Sequence, residues 1–160
     1  MNYIKISFGI FLALAASRFI PHPPNFTSLI ALAFYVPAIL GIKFLPVLLV
    51  SFFITDLFLG IHQVVFFTWG SVFLIGIISK YFLKNMISRL SGSMISVLIF
   101  FILTNFGIWL LGFYEHSLNG LILCYTMALP FLGNNLIATL LYSLIIEIIY
   151  NQYIAFQRKY

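Results

Sequence analysis

The sequence predicts an all-α membrane protein, a bundle of six transmembrane helices with both termini on the cytoplasmic side. The chain has 160 residues, of which 63% are hydrophobic and only 7% are charged, whereas soluble domains carry about 25% charged residues. Its apolar residues fall into six segments separated by short, turn-like breaks. Its basic residues are distributed unevenly between the two sides that these segments define. We therefore expect a single integral membrane domain over residues 1–160.

The apolar segments have lengths that suit membrane spans. A transmembrane helix needs roughly 20 residues, with a range of about 17–25. The second and third segments are short, and the last is too long for one straight helix. Pro130 and the run Gly133-Asn134-Asn135 are expected to kink it, unless its end continues as an interfacial helix. The predicted spans cover residues 4–20, 28–41, 45–60, 64–83, 94–113 and 121–150.

The breaks between the spans consist of residues typical of turns. They are 21–25, 42–43, 61–63, 85–93 and 115–120. The start of the chain also has features of a signal peptide, since Lys5 precedes an apolar run and Ala13-Leu14-Ala15 fits a cleavage site. The apolar pattern continues beyond that site, which favours a first transmembrane helix.

The basic residues predict the orientation. With the N-terminus inside, the outer side holds only Arg18. This asymmetry places both termini in the cytoplasm, because Lys and Arg accumulate on the cytoplasmic side of membrane proteins. The inner side holds Lys5, Lys43, Lys80, Lys84, Arg89, Arg158 and Lys159.

Several functional classes are disfavoured by the composition. The basic residues are scattered and form no patch, so we expect no nucleic-acid partner. The single cysteine, Cys124, excludes an internal disulfide and a metal site built from cysteines. The sequence contains no glycine-rich phosphate loop and no nucleophile motif. We therefore expect neither an enzyme nor an ATPase of its own.

Polar residues gather on the predicted outer side and form the candidate substrate site. The segment that follows the first span combines an arginine, a histidine, an asparagine and three prolines, which indicates a rigid polar loop. The candidate contacts are Arg18, His22, Asn25, Asp56, His62, Trp69, Asn105 and Trp109.

Each of these residues also has a structural interpretation. Arg18 and Asp56 lie at or inside span ends, where a mutual salt bridge would offset the cost of an unpaired charge. The tryptophans suit an interfacial aromatic belt, and the loop histidines suit simple solvation. Asn105 lies within an apolar span and is expected to bond another helix or a ligand.

Small residues recur on one face of the first span. Gly9, Ala13 and Ser17 follow at intervals of four residues. Such spacing lets a second helix approach closely, either from the same chain or from a partner.

Two resemblances follow from these features. The segments Arg18-Phe19-Ile20-Pro21-His22-Pro23-Pro24-Asn25-Phe26-Thr27, Thr104-Asn105-Phe106-Gly107-Ile108-Trp109 and Gly120-Leu121-Ile122-Leu123-Cys124-Tyr125, together with Asp56, resemble a family of small bacterial membrane proteins. The architecture is similar to that of the substrate-binding S-component of energy-coupling-factor vitamin transporters. It shares six short spans, a small-residue first helix and an outward polar pocket with that component.

The resemblance to S-components implies a multi-pass protein of the bacterial inner membrane that binds a vitamin beneath its outer loops. It also implies that the face bearing Gly9 and Ala13 packs on a transmembrane coupling subunit driven by ATPases. A solitary type takes up cobalamin and binds cobalt through a cysteine between the third and fourth spans. This chain lacks that cysteine, and His62 is the candidate cobalt ligand in its place; no other metal or cofactor is expected.

The sequence therefore supports two main hypotheses. The first is an uptake protein for a vitamin-like small molecule, with cobalamin as the leading candidate. The alternative is a structural or assembly subunit that docks a larger complex through its first helix. An enzyme using Asp56 and a histidine for acid–base chemistry is the third and weakest interpretation, because no nucleophile accompanies them.

Overall fold

A computed structural model describes residues 3–159, with side chains as far as Gln157. All the regular structure in this part of the chain is helical. The side chains of Arg158 and Lys159, which the sequence assigns to the inner side, lie outside the described residues. The α-helices are α1 (Tyr3–Phe19), α2 (Leu29–Tyr35), α3 (Leu45–Leu59), α4 (Val65–Ile78), α5 (Met86–Leu110), α6 (Leu118–Met127) and α7 (Leu129–Lys159).

Within residues 3–159, four helices are long and apolar enough to cross a membrane. They are Ile42–Leu59, Val65–Phe82, Met86–Leu110 and Leu129–Gln157, the first two counted with the short 3₁₀ turn that adjoins each. The protein is thus a helical membrane protein. The apolar helix Leu29–Leu40 is shorter; at 1.5 Å per residue it covers about 18 Å, less than the roughly 30 Å of a hydrocarbon core. Six complete spans therefore remain a prediction.

The first three helices alternate in direction. At one end of the bundle, the hydroxyl oxygens of Ser17 and Ser28 lie 2.7 Å apart. At the other end, the rings of Tyr3 and Phe44 stack with their centroids 4.8 Å apart. We call these the outer and inner ends of the bundle, respectively. Helix α2 consequently runs antiparallel to α1, and α3 returns to the outer end.

The remaining long helices continue this alternation. At the outer end, α4 packs beside α3 and α5 packs beside α4, whereas α5 and α7 meet toward the inner end. Helix α7 descends along α5 in the opposite direction. The contacts that establish this are Trp69 with Asp56, Gly107 with the Phe67 ring, and Ser93 with Ser143.

Helix α2 forms the centre of the bundle. All of its residues from Leu29 to Tyr35 are buried, because α4, α5 and α7 pack around it. Its hydrophobic residues accordingly occupy every face rather than one stripe. A π turn, Val36–Leu40, extends α2. Pro37 lies in this turn and cannot donate the usual helical hydrogen bond, which accounts for the local widening.

The fifth helix begins earlier than the sequence predicts. Residues 85–93 were expected to be a loop and the span to cover 94–113, but α5 begins at Met86. The side chain of Asn85 caps it by accepting a hydrogen bond from the Ser88 N–H at 2.8 Å. The expectation was wrong because the polar residues of this stretch, including Arg89 and Ser93, are buried between helices.

The last apolar segment is divided into two helices. The predicted break at Pro130 is present, because α6 ends at Met127 and α7 begins at Leu129. Pro130 has no N–H to bond the preceding turn. The run Gly133-Asn134-Asn135, by contrast, lies within α7 without interrupting it. The 31 residues of α7 extend about 46 Å, which exceeds a hydrocarbon core.

Candidate functional site

Arg18 and Asp56 form an ion pair at the outer end. Nη2 of Arg18 lies 2.7 Å from Oδ1 of Asp56, and both side chains are largely buried. The other carboxylate oxygen, Oδ2, accepts a hydrogen bond from the Trp69 indole N–H at 2.8 Å. Oδ1 itself receives no well-aligned hydrogen bond, so its contact with Arg18 is chiefly ionic. The salt bridge that the sequence predicted for Arg18 and Asp56 is therefore present.

The second terminal nitrogen of Arg18, Nη1, is also directed at α3. Nη1 donates to the Thr55 hydroxyl and, at 3.4 Å, to the Phe52 carbonyl. The guanidinium carbon also lies 4.6 Å from the centroid of the Phe52 ring, within the range of cation–π attraction. Arg18, Asp56 and Trp69 thus join α1, α3 and α4, and we call these three residues the outer staple.

The residues between α1 and α2 form a tethered loop, residues 20–28, which we call the proline loop. At its end, the Ser28 N–H donates to Ser17 Oγ at 3.1 Å. In its middle, the Asn134 amide of α7 donates to the Pro24 carbonyl at 2.9 Å. Asn25 adopts a left-handed conformation with φ of 63°, which asparagine tolerates better than most residues. The loop is therefore held against both α1 and α7.

A cavity of about 390 Å³ lies between the proline loop, α1 and α7. We call it the outer cavity. His22 is half-buried in its wall, and its Nδ1 lies 2.7 Å from the Pro23 carbonyl. The lining residues are Ala13, Ala16, Ser17, Ile20, Pro21, His22, Pro23, Phe26 and Tyr142. Of the eight candidate contacts, His22 is the one that lines this cavity.

The other candidate contacts lie elsewhere. Asn25 and His62 are exposed. The Asn105 amide donates to the Phe101 carbonyl of its own helix at 2.8 Å, so this donor needs no partner on another helix; a ligand contact of Asn105 stays a prediction. The Trp109 indole N–H donates to the Glu115 carbonyl at 3.0 Å, which ties down the α5–α6 loop. The candidate residues therefore do not converge on one site.

No metal site is evident in the described part of the chain. Residues 3–159 contain no cluster of three or more His, Cys, Asp or Glu side chains placed to hold an ion. His62, the candidate cobalt ligand, has no such companions, and its proposed role rests on the resemblance alone.

The small residues on one face of α1 have two different environments. Ser17 is buried and contacts Ser28 within the chain. Gly9 and Ala13 are exposed, and a Cβ atom on Gly9 would meet no neighbouring atom within 4 Å. Both line a second cavity of about 740 Å³ between α1, α2 and α7, which we call the inner cavity. Ala13 lines both cavities, so the two adjoin at this residue, and we call this side of the bundle the groove.

The comparison with known families is clear. The chain matches, over residues 2–160, the family described as "Family of unknown function (DUF6580)". The chain belongs to this family. No curated protein and no solved structure matches the chain.

This DUF6580 chain also contains a buried ion pair that the sequence analysis missed. Nε and Nη2 of Arg89 each donate to a carboxylate oxygen of Glu147 at 2.7 Å. The Tyr150 ring covers the guanidinium, with 5.1 Å between the guanidinium carbon and the ring centroid. One sequence feature could have revealed this pair: Glu147 lies within the apolar run 144–150, where an acidic residue needs a partner.

Tyr35 of the same DUF6580 chain lies beside this pair. Its hydroxyl is buried near Glu147 and Ser143, but it makes no hydrogen bond of good geometry. Tyr35 and Tyr150 both line the inner cavity, whereas Arg89 and Glu147 do not. The two tyrosines therefore contact both the cavity and the surroundings of the ion pair.

Proposed function

We propose that the protein is a membrane substrate-binding protein that takes up a small, vitamin-like molecule from the side of its outer end. The outer cavity carries this proposal, because its volume of about 390 Å³ falls within the range of about 300–1,000 Å³ that is usual for ligand sites. Such sites combine an apolar lining with a few polar groups. His22 from the proline loop and Tyr142 from α7 are the polar side chains available here, since the hydroxyl of Ser17, which also lines the cavity, is engaged by Ser28.

The tethers of the proline loop support the proposal. A preformed roof binds more tightly than a loop that must be ordered by its ligand, because the ordering entropy is already lost. Ser17 and Asn134 hold the loop at its end and in its middle. Pro21, Pro23 and Pro24 restrict its backbone further. The proposed mechanism is alternating access, in which the outward and inward states bind the ligand with different affinities.

Three of the predicted ligand contacts have a structural role in the outer staple. Arg18, Asp56 and Trp69 satisfy one another, which leaves little capacity for a ligand. The carboxylate of Asp56 is buried and engaged by two partners, which makes it poorly placed for acid–base catalysis.

The cavity volume favours a small solute. Cobalamin is much larger than a drug-sized ligand, and the outer cavity is near the lower end of the usual range. We therefore favour a smaller vitamin-like molecule over cobalamin. On this proposal the protein lies in the bacterial inner membrane with both termini cytoplasmic, as the distribution of basic residues predicts.

A second candidate function is that of an assembly subunit. The observation in its favour is the exposed face at Gly9 and Ala13, where neighbouring atoms leave room for a partner's helix. A coupling subunit with its ATPases would be one such partner, as the resemblance to S-components implies. The two functions are compatible only if the docked helix leaves the outer cavity accessible.

The proposal is tested by mass spectrometry of the small molecules that the purified protein releases on denaturation. We expect one compound to be retained by the wild type and at least tenfold depleted in His22→Ala. The matched control is His62→Ala, which removes an exposed histidine outside the outer cavity and is expected to retain the compound. A compound retained equally by both variants would place the site elsewhere.

A further inference from the structure

The inner cavity differs from the outer one in size and in lining. Its volume is about 740 Å³, and most of its wall is apolar. Ile10 and Leu32 are buried at its base, and Val36, Ile146 and Ile149 continue the apolar surface. Lys43 is the cationic residue of its lining, and it is exposed next to Phe44 at the inner end. The cavity is thus an apolar trough with a positive charge near one end.

No acidic side chain among the described residues offsets the charge at this end of the trough. None lines the inner cavity, and Glu147 nearby is neutralised by Arg89. The Tyr3 hydroxyl donates weakly to the Lys43 carbonyl at 3.5 Å, which places a second polar group beside the lysine. The exposed Lys5, near the start of α1, adds positive charge at the inner end.

The volume of the inner cavity favours an occupant thinner than a helix. A helix is about 10 Å across with its side chains, so roughly two turns of helix would fill 740 Å³ completely. A transmembrane helix can therefore lie over the groove, but it does not fit within it. A hydrocarbon chain is far narrower and matches the apolar wall along its length.

We propose that the inner cavity binds an anionic membrane phospholipid, with an acyl chain in the trough and the headgroup phosphate against Lys43. An ammonium group near a membrane surface attracts anionic lipid, and an apolar wall excludes water from the chain. This site is separate from the outer cavity and does not depend on the identity of the ligand proposed there.

Native mass spectrometry in detergent tests the proposal with two probes of identical acyl chains, phosphatidylglycerol and phosphatidylcholine. We expect one phosphatidylglycerol to be retained, with a preference of about fivefold over phosphatidylcholine from the single lysine contact. Lys43→Gln should remove that preference. The matched control is Lys80→Gln, because Lys80 is also exposed and also lies over the ring of the next residue, yet does not line the cavity.

A second pair of variants tests the position of the acyl chain. Gly9→Leu places a side chain in the inner cavity and should abolish retention of both lipids. Gly70→Leu is the control, since Gly70 is also a helical glycine with no atom within 4 Å and lies outside the cavity. Equal retention of the two lipids by the wild type would overturn the proposal, as would retention unaffected by Gly9→Leu or absence of any bound lipid.

Discussion

Arg89 and Glu147 form a bidentate ion pair in the interior of the bundle, with both hydrogen bonds at 2.7 Å. Their side chains are 11% and 0% exposed. The fork of the guanidinium matches the two carboxylate oxygens, which is the strongest geometry available to such a pair. The pair joins α5 to α7 on the opposite side of the membrane domain from the outer staple.

Breaking this pair should destabilise the protein more than removing it. We expect Arg89→Met or Glu147→Leu alone to cost about 3–5 kcal/mol, because the surviving charge is left buried and unpaired. The double variant should be closer to the wild type, since two apolar side chains of similar volume replace the pair. Denaturant titration in detergent measures the free energy of unfolding of each variant. Additive losses would show that the two residues act independently.

The outer staple should behave as a structural unit. In a double-mutant cycle of Arg18→Met and Asp56→Leu, we expect coupling of about 1–3 kcal/mol in the free energy of unfolding. Trp69→Phe should cost about 1–3 kcal/mol, because Oδ2 of Asp56 loses its buried donor. Retention of the outer ligand by folded protein should change little. Coupling in ligand retention with unchanged stability would instead make Arg18 and Asp56 a ligand clamp.

Gly120 should be far less tolerant of a side chain than Gly133. A Cβ on Gly120 would collide with the Glu115 backbone, whereas one on Gly133 would meet nothing within 4 Å. We expect Gly120→Ala to lower the melting temperature and Gly133→Ala to leave it unchanged or raise it, because alanine favours a helix by up to about 1 kcal/mol over glycine. Equal effects of the two substitutions would contradict the close approach of the Glu115 backbone to Gly120.

The topology can be measured by labelling introduced cysteines with an impermeant thiol reagent in intact cells. His22→Cys and His116→Cys should react from outside, and Ile87→Cys should be protected until the membrane is permeabilised. Cys124 is buried and provides the unlabelled background. The opposite pattern would turn the outer cavity toward the cytoplasm and remove the basis for uptake from outside.

Much of the fold follows from the sequence, because apolar run length and turn residues report directly on helices. The pairing of Arg18 with Asp56 was also predictable, since each lies near a span end where an unpaired charge is costly. Arg89 was misplaced in a loop because a short polar stretch has the same composition whether it faces water or a partner helix. Only the three-dimensional packing shows that Glu147 lies opposite it.

The candidate site was harder to predict than the fold. Seven of the eight predicted contacts do not line the outer cavity, because helix-end and loop residues that share one side of a membrane need not converge. The Asn105 amide N–H bonds a carbonyl of its own helix. The position of an asparagine in the sequence does not show whether it bonds within its helix or across to another. The apolar inner cavity left no sequence signal other than Gly9 and Ala13, since its walls have the composition of any membrane helix.

The central claim is that a small molecule binds in the outer cavity, and filling that cavity tests it most directly. Ala16→Phe adds a ring where Ala16 lines the outer cavity, whereas Leu12→Phe enlarges an exposed side chain of α1 that lines neither cavity. The measurement is the amount of the retained compound released per mole of folded protein, by mass spectrometry. We expect release from the wild type and from Leu12→Phe, and at least a tenfold reduction in Ala16→Phe. Undiminished release from Ala16→Phe, or no compound from the wild type, would contradict the claim.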